Sequence, residues 1–275
     1  MKSSSLTQIL PLQKKTMKAI NNDSKLNEFL TLPDWLYYER EDELLVHAAL
    51  RHDNVVRIKE TLSRFHNLYD TIASARFNLL AAFNKKVVDD LTTEKDDELW
   101  IQIQFINNAI QWYNNSFDIL LQSLWIYYGI YRKDCKTKKE LKILDDSEVA
   151  LTTEALPIIL CMCNYNNVKK WLSTNKSPLS EGLDKLHNNL SVIHKWANTF
   201  KHRGNISYFD NSVAELKVRV HSVDDESKIW YDSSHTKESI TIDQCVQEFI
   251  NYHKEIVEYS KKITEEFKLY FRIKE

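Results

Sequence analysis

The sequence predicts a mostly α protein, an antiparallel helical bundle carrying one small antiparallel β excursion near residues 206–242. Three observations lead there. The 275 residues include only three glycines and four prolines, and both residue types interrupt helices, so their scarcity favours long ones. Apolar residues recur at three- and four-residue steps over several long stretches. One stretch, Leu99 to Tyr131, contains a single charged residue, Asp118.

Composition sets the frame. Hydrophobic residues make up 43 % and charged residues 28 % of the chain, ordinary values for a globular protein large enough to bury a core without covalent staples. The formal net charge is −2, so no global field draws the chain to nucleic acid or to an anionic membrane. The four cysteines are Cys135, Cys161, Cys163 and Cys245. They are too few for a disulfide framework in a chain this long, and Cys161-Met-Cys163 lacks the spacing of a zinc site. They are read as buried or inert thiols. No metal or other cofactor is expected. The N-terminal stretch has no apolar run of signal-peptide length, and the expected location is cytoplasmic. Residues 1–25 are polar and read as a partly disordered segment. Residues 26–275 are read as a single helical domain that includes the β excursion.

The elements follow in order. Pro33 and Trp35-Leu36-Tyr37-Tyr38 form an aromatic anchor. From Asp53 to Asp90 the pattern is helical, with Val56, Leu62, Phe65, Leu68, Ile72, Ala75, Leu79 and Phe83 on one side. Thr92 to Asp96 breaks it. Leu99–Tyr131 comes next, and its apolar stripe is Trp100, Ile103, Ile106, Ile110, Tyr113, Phe117, Leu120, Leu124 and Tyr128. Gln111, Asn115, Asp118 and Gln122 form a second, amide-rich stripe. A solvated face normally carries Lys and Glu, so this one predicts a helix at the centre of the bundle, its amides satisfied by other helices or by a second copy of the chain. A membrane span is excluded, because no run of about 18 apolar residues exists.

Residues 133–147 are charged and predict a short helix. Residues 149–163, broken by Pro157, are ambiguous. Ser173–Pro178 is a loop. Ser180 opens a helix with Leu183, Leu186, Leu190, Ile193, Ala197 and Phe200 inward, and Gly204 suits its C-terminal turn. Residues 215–221, 228–231 and 239–242 alternate as strands, with a turn at Asp224-Asp225-Glu226. Asp243 is expected to cap a final helix with Val246, Phe249, Ile250, His253, Ile256, Val257, Ile263 and Phe267 inward.

One tract carries functional information: Asn198-Thr199-Phe200-Lys201-His202-Arg203. It resembles the motif of the HEPN superfamily (higher eukaryote and prokaryote nucleotide-binding domains), in which an Arg and a following polar residue precede a His by a few residues. The resemblance spans roughly residues 95 to 270. Asn198 and His202 match, and Ala197 stands where the family carries Arg. The resemblance implies an RNA- or nucleotide-binding protein of the kind used in bacterial defence and toxin systems. It implies either metal-independent ribonuclease activity or its loss, and a homodimer. Asn198 and His202 would be the catalytic pair, since a His can move a proton at a 2′-hydroxyl. Lys195, Lys201 and Arg203 would contact phosphate. Arg40 and His47 also fit the spacing, but spacing by itself carries little information in a chain this long.

A second reading of the tract stands beside this. Cations in the last turn of a helix complement its dipole without any ligand. The corresponding functional alternative is a non-catalytic helical interaction or scaffold protein. Asp118, the sole charge in its helix, is expected to meet a cation of the 194–203 region, because an isolated buried ion is costly. His187 and His194 lack the four-residue spacing of helical zinc ligands.

Overall fold

The computed structural model describes residues 55–92, 95–131, 155–203, 207–208, 239–240 and 242–271. Seven helices are present among them: α1 (Val55–Ala82), α2 (Lys85–Leu91), α3 (Lys95–Tyr127), α4 (Ala155–Leu160), α5 (Tyr165–Thr174), α6 (Leu179–Arg203) and α7 (Ile242–Phe271). The mostly α class is therefore correct. The aromatic anchor, Arg40, His47, the helix expected at 133–147, Cys135 and Gly204 all lie outside the described residues.

α3 is the hub. It packs along most of α1 and also touches α2, α4, α5, α6 and α7. α6 pairs with α7 on its other side. The buried apolar side chains of these helices form one continuous cluster. The predicted inward residues of α7, from Val246 to Phe267, are all buried, as are Leu183, Leu186, Leu190, Ile193 and Ala197 of α6. On α3, Ile106, Ile110, Tyr113, Phe117, Leu120 and Leu124 are buried, but Trp100 is 62 % exposed. The reason is angular. Two consecutive three-residue steps, from 100 to 103 and from 103 to 106, rotate the stripe in one sense. Trp100 thus lies about 120° around the helix from Ile106.

Where helices stop was less legible. The stretch expected as one helix from Asp53 to Asp90 breaks at Asn84. Its backbone is extended there, and its side chain accepts hydrogen bonds from the N–H groups of Lys86 and Val87. Asn84 thereby caps α2, a local bond that competes with helix continuation. α3 ends at Tyr127, not Tyr131. Gly129 has φ 61°, Ile130 N–H donates to the Trp125 carbonyl at 3.1 Å, and Gly129 N–H donates to that of Ile126 at 3.0 Å. This pair of bonds is a Schellman motif. α5 was not anticipated. It starts at the Asn164 cap and ends in a second Schellman motif, with Ser177 N–H on the Leu172 carbonyl at 2.9 Å and Lys176 N–H on that of Ser173 at 3.1 Å. Lys176 takes the left-handed position, φ 52°. α7 begins at Ile242, so Asp243 stands inside its first turn and not at the cap.

The antiparallel β excursion is not supported. The strands expected at 215–221 and 228–231 lie outside the described residues. The ladder that is described is parallel and two residue pairs long, Ser207 with Ser239 and Tyr208 with Ile240. Parallel neighbours need a long crossover, and the 30 residues between them are sufficient.

Polar groups inside the bundle are tied between helices. Tyr113 Oη and His253 Nδ1 are 2.9 Å apart, joining α3 to α7. Ser116 Oγ and Tyr252 Oη are 3.1 Å apart beside them. Trp125 Nε1 donates to the Ile159 carbonyl of α4 at 2.6 Å. α6 approaches α7 at Gly182, where an added Cβ would lie 2.8 Å from the Tyr259 ring. That ring is held, because Tyr259 Oη donates to the Leu179 carbonyl.

Two predictions follow from this packing. Gly182→Ala should lower stability in denaturant titrations by roughly 1–2 kcal/mol, because overpacking against a fixed ring exceeds the gain in helix propensity. Burial, with Arg76 nearby as a lesser cause, pushes the His253 pKa down to about 3 from 6.5. Between those values the unfolded chain binds a proton that the folded chain refuses. Stability should therefore fall as pH drops below 6.5, with a limiting contribution of about 1.4 kcal/mol per pH unit from this residue. Unfolding curves at neutral pH and near pH 4.5 should show a smaller acid loss for His253→Gln than for the wild type.

Candidate functional site

The predicted site residues lie on α6, so the seam between α6 and α3 decides what they can do. Core residues of α6 occupy one stripe. Next to it runs a polar one, Asp184, His187, Ser191, His194 and Asn198, repeating at three- and four-residue steps. α3 faces this stripe with Asn114 and Phe117, and the first turn of α5 adds Tyr165.

At the C-terminal end of the seam three side chains form a relay. His194 Nδ1 is 2.8 Å from Asn114 Oδ1. Asn198 Nδ2 is 2.9 Å from His194 Nε2. Asn114 is 3 % exposed and so firmly seated, whereas His194 is exposed and Asn198 half-buried. An amide oxygen only accepts and an amide nitrogen only donates. These two contacts therefore assign the ring hydrogen to Nδ1 and the lone pair to Nε2.

At the other end lies a charged, aromatic cluster. His187 stacks on Tyr165 with ring centres 3.7 Å apart and an interplanar angle of 14°, and it leans on Phe117 at 5.6 Å. Tyr165 Oη donates to Asp184 at 2.7 Å, and Lys169 bridges the same carboxylate at 2.8 Å. Burial lowers the His187 pKa, and the neighbouring His194 adds to that, while Asp184 opposes it. Burial pulls the Asp184 carboxyl upward, but the hydrogen bonds from Lys169 and Tyr165 outweigh it and leave the net shift downward.

The predicted residues divide as follows. Asn198 is in the relay. Ala197 is fully buried, so the position that would carry the family's Arg belongs to the core, where a guanidinium would have to displace apolar neighbours. Lys195 is exposed on the turn between His194 and Asn198. Lys201, His202 and Arg203 continue the same helix, and their side chains lie outside the described residues. Asp118 stands one turn beyond Asn114 and is exposed. Water therefore relieves the desolvation that made a buried partner necessary.

The amide stripe on α3 is only partly internal. Gln122 accepts from Arg64 of α1 at 2.9 Å, and Arg64 also pairs with Glu60 at 3.0 Å. Asn115 is exposed and Gln111 half-buried. The deeply seated amide is Asn114, which lies outside the predicted stripe beside Tyr113 on the apolar side. The spacing of His194 from His187 excludes a helical zinc pair and gives no sign of its bond to Asn114. The available signal was its four-residue step to Asn198, which puts both on one face.

Cys163 is half-buried, and burial, reinforced by the Asp118 charge, pushes its thiol up to about 12. Cys245 is buried and shifted upward in the same direction. Both thiols are protonated and inert near neutrality, while Cys161 is exposed. Among the described residues no group of His, Cys, Asp and Glu converges to hold a metal ion, and no helix is long and apolar enough to cross a membrane.

The relay makes a spectroscopic prediction. In the wild type, nitrogen-detected NMR of the imidazole should place the His194 hydrogen on Nδ1. In an Asn114→Leu, Asn198→Ala double variant neither bond remains to hold the hydrogen on Nδ1, and it should shift toward Nε2. An unchanged tautomer would break the relay assignment. Comparison of the chain with family models, with curated proteins and with solved structures finds no match.

Proposed function

We propose that this chain is a HEPN-like protein that binds RNA or a nucleotide through the C-terminal half of α6. The observation that carries the reading is the Asn114–His194–Asn198 relay. It holds the motif residue Asn198 at the surface by hydrogen bonds of 2.8 and 2.9 Å. An Asn needed only for packing has no use for a buried partner two bonds away. Lys195, Lys201 and Arg203 supply phosphate-directed charge on the same two turns by sequence. His202 is the proton-moving residue of the motif. With Ala197 in the Arg position, any cleavage lacks the family's cation there and is slow or absent. Metal is not required by this scheme.

A cytoplasmic location and a homodimer belong to the same proposal. Support for the dimer comes from α3, whose outer face carries exposed Trp100 and Trp112, at 62 % and 40 %, together with exposed Asn108 and Asn115. Amides are self-complementary, each being both donor and acceptor, which suits an isologous contact. The same exposed tryptophans favour the second reading, a non-catalytic interaction protein.

Binding and cleavage of a labelled RNA, with chelator present, separate the two. The expected result is salt-sensitive binding that Asn198→Ala weakens severalfold, and loss of any cleavage in His202→Ala. A triple Lys195→Ala, Lys201→Ala, Arg203→Ala variant should flatten the salt dependence. RNA binding that is absent in the wild type, or indifferent to all of these changes, would leave the interaction reading in possession.

A further inference from the structure

We propose that His194 is a specificity residue of this seam, with Asn114 its positioning residue, and that its Nε2 accepts a hydrogen bond from a ribose 2′-hydroxyl. The inference rests on the nucleic-acid reading above and extends it to a residue outside the motif. Asn114 Oδ1 is buried and can only accept, so at 2.8 Å it draws the hydrogen of His194 to Nδ1. That leaves Nε2 as a neutral acceptor on an exposed side chain. In the free chain the amide of Asn198 donates to it at 2.9 Å. A ligand hydroxyl can take the place of that amide by exchanging one neutral donor for another, with no charge desolvated.

Phosphate oxygens only accept, so a neutral Nε2 gives them nothing. The donors a nucleic acid offers are base N–H groups and the 2′-hydroxyl. DNA shares the former and lacks the latter, and the hydroxyl is the group by which a protein distinguishes the two strands. The cations expected on α6 act on both strands alike. His194 would therefore supply discrimination where Lys195, Lys201 and Arg203 supply affinity.

The test is fluorescence anisotropy with single-stranded RNA and DNA of matching sequence at one salt concentration. The wild type should prefer RNA by about three- to tenfold, the worth of one neutral hydrogen bond, the displaced Asn198 amide being satisfied by water or by the ligand. His194→Ala should bring RNA affinity down to that of DNA, while any loss caused by releasing Asn198 falls on both strands alike. His194→Gln, whose side-chain oxygen also accepts, should keep part of the preference. Asn114→Leu should weaken it, because the imidazole loses the buried acceptor that orients it. Lys201→Ala should weaken both strands together. Circular dichroism verifies that each variant is folded. A preference that survives in folded His194→Ala, or a wild type that binds RNA and DNA equally, overturns the proposal and leaves the RNA-binding reading intact. A wild type that binds neither strand overturns both.

Discussion

Two adjacent residues of α3, Tyr113 and Asn114, organise the described structure. They point about 100° apart, one helical step, and each sends a hydrogen bond to a different helix. Tyr113 reaches His253 on α7, and Asn114 reaches His194 on α6. Both are buried, so the loss of either partner would strand a polar group in the core. A helix nearly free of charge can sit at the centre of a bundle only if its neighbours satisfy it in this way. The positions of α6 and α7 follow from those two bonds together with the apolar cluster around them.

The same constraint joins stability to the surface. His253 and His194 are both histidines bonded to α3, but they have opposite exposures. The buried one is held neutral and strengthens the bundle only while it stays so. The exposed one is oriented by a buried amide and carries its second nitrogen, bonded to Asn198, at the surface. Burial thus gives two identical side chains different settings, one sealed in the core and one at the surface. On the far side of the seam, His187 is intermediate: stacked on Tyr165, partly buried and shifted downward.

The helix ends illustrate a different balance. Asn84, Gly129 and Lys176 each interrupt a helix, but by different local chemistry. Asn84 offers its own side chain to the backbone. Gly129 and Lys176 turn left-handed to satisfy terminal carbonyls. Glycine adopts that conformation without a Cβ penalty, whereas lysine does so at some cost. Gly129 is the residue type that ends helices, but the apolar pattern runs on past it to Tyr131 and gives no sign of the stop. Lys176 carried no such signal.

What the sequence by itself determined is the helical class, the identity of the central helix and most inward positions of α6 and α7. These depend on periodicity and on the absence of charge, which are properties of the chain read one turn at a time. Only the tertiary structure decided which polar residues meet. Asn114 adjoins an apolar stripe and looks unremarkable until His194, 80 positions later, is brought against it. Trp100 looks like core until its angle around α3 is measured against its neighbours. The motif residue Asn198 was visible from the beginning. The partner that holds it was not, because a hydrogen bond between helices leaves no local trace in either one.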